Sequence, residues 1–284
     1  MNEDKRMEWL EGLDPRLQAL VAGGFTLLLT AVGAAAVAFS GSKPSRRWMD
    51  AMLGFASGVM IAASFWSLLA PAIELAEIQD KPGWLPATIG FLAGAAFLQL
   101  ANSFLPHLHP GQPAQKAQGI QTHLKRATLL VFAITLHNIP EGLAVGVAFG
   151  AVAVGTGLSD AASFSGAVAL SVGIGLQNIP EGIAVAMPIR SSGHSRFRSF
   201  MMGSLSAAVE PVAAVIGATA VVTVGSLLPY ALAFAAGAMI YVVVEELIPQ
   251  AQAGQDRTAG ETSIATLSTI LGFAVMMVLD VALG

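Results

Sequence analysis

Two copies of one polar motif lie forty residues apart within strongly hydrophobic sequence. The first copy reads LHNIPEG from Leu136 to Gly142, and the second reads LQNIPEG from Leu176 to Gly182. Each copy contains a carboxylate, an asparagine and a proline, to which the first adds an imidazole and the second an amide. Ionisable residues inside a transmembrane segment are costly and usually mark the path of an ion or a substrate. The repeat therefore predicts a metal site at the membrane midplane.

Helical spacing would bring the polar side chains of each copy onto one helix face. His137 and Glu141 are four residues apart and share that face, which Asn138 borders. The second copy repeats the arrangement with Gln177, Asn178 and Glu181. A third carboxylate, Glu210, lies beside Pro211 midway along a later hydrophobic segment. The three acids are therefore candidates for one shared site.

A divalent metal ion is the partner that these side chains favour. Three carboxylates cannot all remain ionised side by side in hydrocarbon without positive charge nearby. Carboxylate, imidazole and amide ligands together suit ions such as Zn²⁺, Mn²⁺, Fe²⁺ or Co²⁺. Pro140 and Pro180 lack a backbone N–H, which should free the carbonyls of Leu136 and Leu176 as further ligands. A proton relay is the competing use of the acids, and hydrogen bonding between helices is the structural alternative.

The composition is that of a polytopic membrane protein. Of the 284 residues, 55% are hydrophobic and 11% are charged, whereas soluble domains carry about 25% charged residues. The absence of cysteine excludes a thiolate metal site. A transmembrane helix needs about 20 apolar residues. Segments of that length predict an all-α bundle of eight transmembrane helices at 17–40, 49–77, 83–105, 127–150, 161–189, 199–223, 228–250 and 263–283.

Lysine and arginine are unevenly divided between the two ends of this bundle. Ten of the 14 lie between helices one and two, three and four, five and six, or seven and eight. The positive-inside rule places those loops in the cytoplasm and both termini outside it. We therefore expect an integral protein of the plasma membrane (the inner membrane in a bacterium), in contact with the lipid bilayer. Residues 106–124 form a polar loop that is expected to be flexible and cytoplasmic.

With these motifs the sequence resembles the ZIP (Zrt/Irt-like) family of divalent metal transporters, specifically its bacterial GufA-like branch. The resemblance covers about residues 48–284, and its most specific elements are H-N-x-P-E-G and x-N-x-P-E-G. It implies eight helices, extracytoplasmic termini and a bundle with the fourth and fifth helices at its centre. It also implies a binuclear metal site and an elevator-like movement of one group of helices against another.

The resemblance further implies the ligands of two ions. One ion position would use Met60, His137, Glu141, Gln177 and Glu181. The second would use Asn138, Glu141, Asn178, Glu181 and Glu210. Glu141 and Glu181 would thus bridge the ions, whereas a methionine within a helix is by itself typical of core packing. Related proteins often have aspartate where Asn178 stands, so the second position is expected to bind more weakly here or to tune the first.

Other polar residues are candidates for the entry and release of the ion. Glu74, near the outer end of the second helix, would attract cations at the entrance. The candidates on the cytoplasmic side are Asn102, His107, His109, Glu245 and Glu246. Solvated or salt-bridged side chains are the alternative interpretation of each.

These observations predict a carrier that moves a divalent cation toward the cytoplasm by alternating access. Zinc is the foremost candidate, with cadmium, iron and manganese permitted, and neither a cofactor nor nucleic acid is expected. An intramembrane zinc protease would need H-E-x-x-H, which the first motif copy does not supply, so the protein is not expected to be an enzyme. A metal-gated channel is the remaining alternative. Small residues on several helices permit close packing, within the bundle or between the two copies of a homodimer.

Overall fold

The computed structural model describes residues 8–39, 45–104, 126–154, 163–252 and 259–283. Within these ranges the chain is almost entirely helical and contains no β-strand. Eight helices are long and apolar enough to cross a membrane, after a single helical turn at Glu8–Glu11. The predicted class, an all-α polytopic membrane protein with eight spans, is confirmed. The predicted loop at 106–124, with His107 and His109, lies outside the described residues.

We name the eight spanning helices α1 to α8 in chain order. They are α1 Pro15–Ala38, α2 Arg46–Ile78, α3 Trp84–Phe104, α4 Arg126–Val154, α5 Phe164–Ser191, α6 Arg196–Thr223, α7 Gly225–Ala251 and α8 Ala259–Leu283. Side-chain caps begin several of them. Asp14 accepts a hydrogen bond from the Arg16 amide before α1, and Ser163 accepts one from the Gly166 amide at the start of α5. Such caps satisfy amide groups that have no partner within the helix.

The helices pack in pairs that repeat with inverted order. α1 packs along α5 as α6 packs along α4, and α2 packs along α8 as α7 packs along α3. This pattern is the one expected if a twofold axis relates α1–α3 to α6–α8 and α4 to α5. We call α1, α4, α5 and α6 the motif group, because it carries both copies of the repeat, and the other four helices the second group. The groups meet where α2 contacts α5 and where α7 contacts α4.

The glycine of each motif copy allows two helices to touch through their backbones. A Cβ atom on Gly142 would lie 2.5 Å from the carbonyl oxygen of Glu210 on α6. A Cβ atom on Gly182 would collide with the carbonyl oxygen of Thr30 on α1. Only glycine therefore fits at either place, and the last residue of P-E-G serves packing within the motif group.

The irregular parts of the helices do not coincide with the motif prolines. Pro140 and Pro180 lie inside continuous helices. By contrast, α2 and α7 contain π-helical segments, Ser64–Leu69 and Val243–Leu247, each two residues before a proline. α6 is interrupted between Leu205 and Val209, immediately before Glu210. π-helical turns inside α-helices are frequent at functional sites.

Candidate metal centre

The predicted metal ligands are all buried among the described helices, and none exposes more than 5% of its surface. They are Met60 on α2, His137, Asn138 and Glu141 on α4, Gln177, Asn178 and Glu181 on α5, and Glu210 on α6. The α4–α5 inverted pair places the two motif copies side by side, and Glu210 joins them at the interruption of α6. Seven of the eight residues thus lie in the motif group.

A direct hydrogen bond joins the two motif copies. Gln177 Nε2 donates to Glu141 Oε1 at 2.7 Å, and both side chains are fully buried. Glu141 Oε2 and Gln177 Oε1 have no hydrogen-bond partner among the described residues. A buried polar atom without a partner is costly, and an oxygen atom in that situation is a ready ligand for a cation.

His137 is turned toward the second group of helices. Its Nε2 atom lies 2.7 Å from Glu246 Oε1 on α7, and both side chains are buried. Gln250 Nε2, one turn later on α7, donates to the other oxygen of Glu246 at 3.4 Å. Glu246, which was predicted for the release path, therefore lies beside the first motif copy itself.

A narrow cavity adjoins this contact. Its lining combines the polar residues of the contact with apolar ones: Leu53, His137, Glu181, Ala184, Val242, Glu246, Leu247 and Gln250. About 10 Å³ is available there to the centre of a water-sized molecule, which is close to the room that one bound water requires. Glu181 of the second motif copy thus lies at the same small cavity as His137 and Glu246.

Asn178 and Glu210 form a separate contact between α5 and α6. Asn178 Nδ2 donates to both carboxylate oxygens of Glu210, at 3.0 and 2.9 Å. The same nitrogen lies 3.3 Å from the carbonyl oxygen of Thr26 on α1. All three residues are fully buried. The amide therefore ties together three helices of the motif group.

The charges of the centre are unbalanced. Glu141 is close enough to Glu181 and Glu210 for the three carboxyl groups to interact electrostatically. The buried residues of the described ranges include these acids and Glu246, but no lysine or arginine. No three histidine or acidic side chains among the described residues are arranged to hold a metal ion by themselves. Amide ligands, or a turn of His137 and Glu210 away from their present partners, are needed to complete a coordination shell.

Two of the predicted ligands, Asn138 and Met60, are buried, and neither side chain is hydrogen-bonded to an acid among the described residues. Asn138 has neither of its side-chain polar atoms hydrogen-bonded to a described residue. Met60 lies in the main hydrophobic cluster, and its carbonyl group accepts a hydrogen bond from the hydroxyl of Ser64. The assignment of Met60 as a ligand stays a prediction.

The residues predicted for entry and release do not form one cluster. Glu74 is exposed on α2 and Glu245 is exposed on α7. Asn102 is buried on α3, where its Nδ2 atom donates to the hydroxyl of Tyr241 on α7 at 3.5 Å. His107 and His109 lie outside the described residues.

Sequence reasoning missed two polar residues. Thr26 joins the centre through its backbone carbonyl group, which accepts from Asn178, and through its side chain, which interacts with Glu210. Asp280 on α8 accepts a hydrogen bond from Ser67 in the π-helical segment of α2. Asp280 had a signal in the sequence, because it is an isolated acid in an otherwise apolar stretch.

Comparison with known proteins identifies the family. The model of the ZIP zinc transporter family matches residues 112–280. Zinc transporter ZIP11 of Bos taurus is 41% identical to this chain, with 97% of this chain and 100% of that protein aligned. Zinc transporter GufA of Myxococcus xanthus is 38% identical, with 93% and 98% aligned, and zinc transporter ZIPB of Bordetella bronchiseptica is 35% identical, with 94% and 81% aligned. These relatives are transporters and not enzymes, and the chain belongs to the ZIP zinc transporter family.

Proposed function

We propose that this protein carries a divalent cation, foremost zinc, across the membrane toward the cytoplasm, and that the ion binds at Glu141 and Glu181. The observation that carries the proposal is the pair of buried, partnerless oxygens on Glu141 and Gln177, held together by the hydrogen bond between the motif copies. Further carboxylates lie beside them, and no lysine or arginine is buried among the described residues. A cation is the ligand that such a site lacks.

Zinc is the favoured cargo for two independent reasons. Imidazole and carboxylate ligands suit Zn²⁺, which imposes no strict geometry of its own. The three relatives described above are each named zinc transporters. Cd²⁺, Fe²⁺ and Mn²⁺ remain candidates, because ligand type and metal supply, rather than affinity order, decide selection in a cell.

The two ion positions that the family resemblance implies differ in their ligands here. The first position, with His137, Glu141, Gln177, Glu181 and Met60, offers imidazole, carboxylate, amide and thioether atoms, and we assign transport to it. The second position shares Glu141 and Glu181 and adds Asn138, Asn178 and Glu210. Because Asn178 brings no charge, the second position is the weaker of the two.

Alternating access would come from movement of the motif group against the second group. The contact of His137 with Glu246 supports this, since it joins the two groups at the ion site. Glu246 lies in the half of α7 nearer the arginine-rich end of the bundle, which the positive-inside rule assigns to the cytoplasm. The ion would then leave along the small cavity beside Glu246 and Gln250. Asn102, Glu245 and the loop histidines are proposed to receive it, and Glu74 to attract it at the outer entrance.

Zinc uptake into proteoliposomes tests the proposal. Wild type is compared with Glu181→Gln, which keeps the shape of the side chain but removes its charge, and with Glu11→Gln as a matched control at an exposed acid. Saturable uptake in wild type and the control, abolished in Glu181→Gln, is expected. Equal uptake in all three variants would refute the site, and unsaturable flux near the diffusion limit would favour a channel. A homodimer remains a prediction.

A further inference from the structure

The side-chain amide of Asn178 occupies the place at Glu210 where a second cation would have to bind. We infer that this amide closes the second ion position, so that the protein binds one cation per chain. The inference deepens the proposed function and rests on it, because it concerns the number of ions held by the same centre.

The contacts of Asn178 use all of its hydrogen-bonding donors. Its Nδ2 atom has two hydrogens, and it lies 3.0 and 2.9 Å from the two oxygens of Glu210 and 3.3 Å from the Thr26 carbonyl oxygen. Two hydrogens thus serve three acceptors, namely the two carboxylate oxygens and the Thr26 carbonyl oxygen. Both oxygens of Glu210 are thereby engaged.

The Asn178 amide cannot donate to Glu210 and bind a metal ion at the same place unless the side chain rotates. An amide nitrogen donates hydrogen bonds and has no available lone pair, so only Oδ1 can bind a cation. Oδ1 and Nδ2 diverge from one carbon atom, and Nδ2 faces Glu210 while Oδ1 has no hydrogen-bond partner among the described residues. A metal ion bound to Glu210 would confront the N–H groups of Asn178, which repel it.

The surroundings of Glu210 leave little space for an alternative arrangement. On one side, a Cβ atom on Gly23 of α1 would lie 2.7 Å from the Cα atom of Pro211. On the other, a Cβ atom on Gly142 of α4 would lie 2.5 Å from the carbonyl oxygen of Glu210. The backbone of α6 is thus in close contact with two helices at the point where its second helical section begins, beside Glu210. An ion with its ligands could enter only by displacing the amide.

The first position is obstructed only in part. The Gln177 amide engages Glu141 Oε1, but Glu141 Oε2 and Gln177 Oε1 have no hydrogen-bond partner among the described residues, whereas both oxygens of Glu210 accept from Asn178. Glu210 therefore acts as a positioning residue, which fixes Asn178 and through it the packing of α1, α5 and α6. It does not bind the transported ion.

Counting bound ions in the purified full-length protein tests the inference. Zn²⁺ is equilibrated by dialysis and measured by elemental mass spectrometry against protein concentration, with isothermal titration as a second readout. We expect one ion per chain in wild type, one in Glu210→Gln and two in Asn178→Asp, in which a carboxylate replaces the obstructing amide. Glu181→Gln reports separately on the first position and should bind no ion tightly. Melting temperature and gel-filtration profile establish that each variant is folded.

Each outcome has a defined meaning. Two ions in wild type, or a loss of one ion in Glu210→Gln, would overturn the inference and leave the proposed transport intact. One ion in folded Asn178→Asp would also overturn it, because the amide would then not be what closes the position. No ion in wild type would refute the proposed function and the inference together.

Discussion

The two motif copies share N-I-P-E-G but make different contacts. In the α4 copy, His137 reaches out of the motif group to Glu246 on α7, and Asn138 has no hydrogen-bond partner among the described residues. In the α5 copy, both amides stay inside the motif group, with Gln177 on Glu141 and Asn178 on Glu210. The two copies therefore share a sequence without sharing a structural role. The α4 copy contacts the second group of helices through His137, whereas the α5 copy holds the motif group together.

The largest effect is expected where the copies act jointly. Glu141→Ala removes the acceptor of Gln177 and, at once, a carboxylate that is proposed to bind the ion. Changes outside the first ligand shell already cost about 10–100-fold in metal affinity, so zinc uptake should fall by more than about 100-fold. Initial rates in proteoliposomes measure this, with protein amount and melting temperature as controls. Retained uptake in a folded variant would separate the hydrogen bond between the copies from transport.

His137→Gln makes the α4 copy identical to the α5 copy and so tests the asymmetry directly. Glutamine can still reach Glu246 but is a poorer zinc ligand than imidazole. We expect zinc affinity to fall by about 10-fold or more, a loss of the size seen when metal ligands are perturbed. Titration calorimetry measures it. Unchanged affinity would mean that the imidazole is not a ligand and that the copies are interchangeable.

Glu246→Gln addresses the outward contact of the α4 copy alone. The variant keeps a hydrogen-bonding group next to His137 but removes the charge that is proposed to draw the ion toward release. Maximal uptake rate should fall by a larger factor than zinc affinity, by about 10-fold, which corresponds to about 1.4 kcal/mol. Rate and binding are measured on the same preparation. Equal losses in both would place Glu246 at the binding site instead.

Gly182→Ala tests the packing role of the α5 copy. The added Cβ atom would collide with the carbonyl oxygen of Thr30, and overpacking typically costs about 1–3 kcal/mol. A lower melting temperature in detergent is expected. Gly24→Ala is the matched control, because a Cβ atom there meets nothing within 4 Å. If both variants melt alike, the close approach of α1 and α5 is not important for stability.

The smallest effect is expected for Met60→Leu, a change of nearly constant volume. A thioether favours softer ions, so competition of cadmium against zinc should weaken by about 2–5-fold, within the modest range of sulfur contacts of about 0.3–1.5 kcal/mol. Competitive uptake measures the ratio. An unaltered ratio would return Met60 to core packing.

Much of the fold was predictable, because membrane-spanning helices follow from apolar length alone. The eight spans and the α4–α5 centre follow from the same rule and from the motif repeat. The pairing of the acids was not predictable in this way. The i, i+4 spacing of His137 and Glu141 indicates a shared face. His137 nevertheless lies 2.7 Å from Glu246, which is distant in sequence and reached only when α4 and α7 pack.

The remaining differences between the sequence prediction and the structure concern the prolines and the backbone contacts. Pro140 and Pro180 suggested freed carbonyl groups in the motif, yet both helices continue through them, and the irregular turns lie in α2 and α7. A π-helical turn depends on tertiary packing as much as on local sequence, so periodicity gives no warning of it. The contact of Asn178 with the Thr26 carbonyl oxygen likewise depends on the packing of α1 along α5.

The π-helical segment of α7 has a consequence for deletions. It fixes the relative orientation of two contacts that α7 makes with other helices. Tyr241 contacts Asn102 and Gln99 on α3, and Glu246 contacts His137 on α4. One residue of an α-helix corresponds to a rotation of about 100°. A π-helical turn absorbs about one extra residue, so deleting a single valine from Val243–Leu247 would restore regular hydrogen bonds and rotate Glu246 relative to Tyr241 by part of that angle. A shortened α7 could thus be well folded as a helix and still weaken the contact of Glu246 with His137.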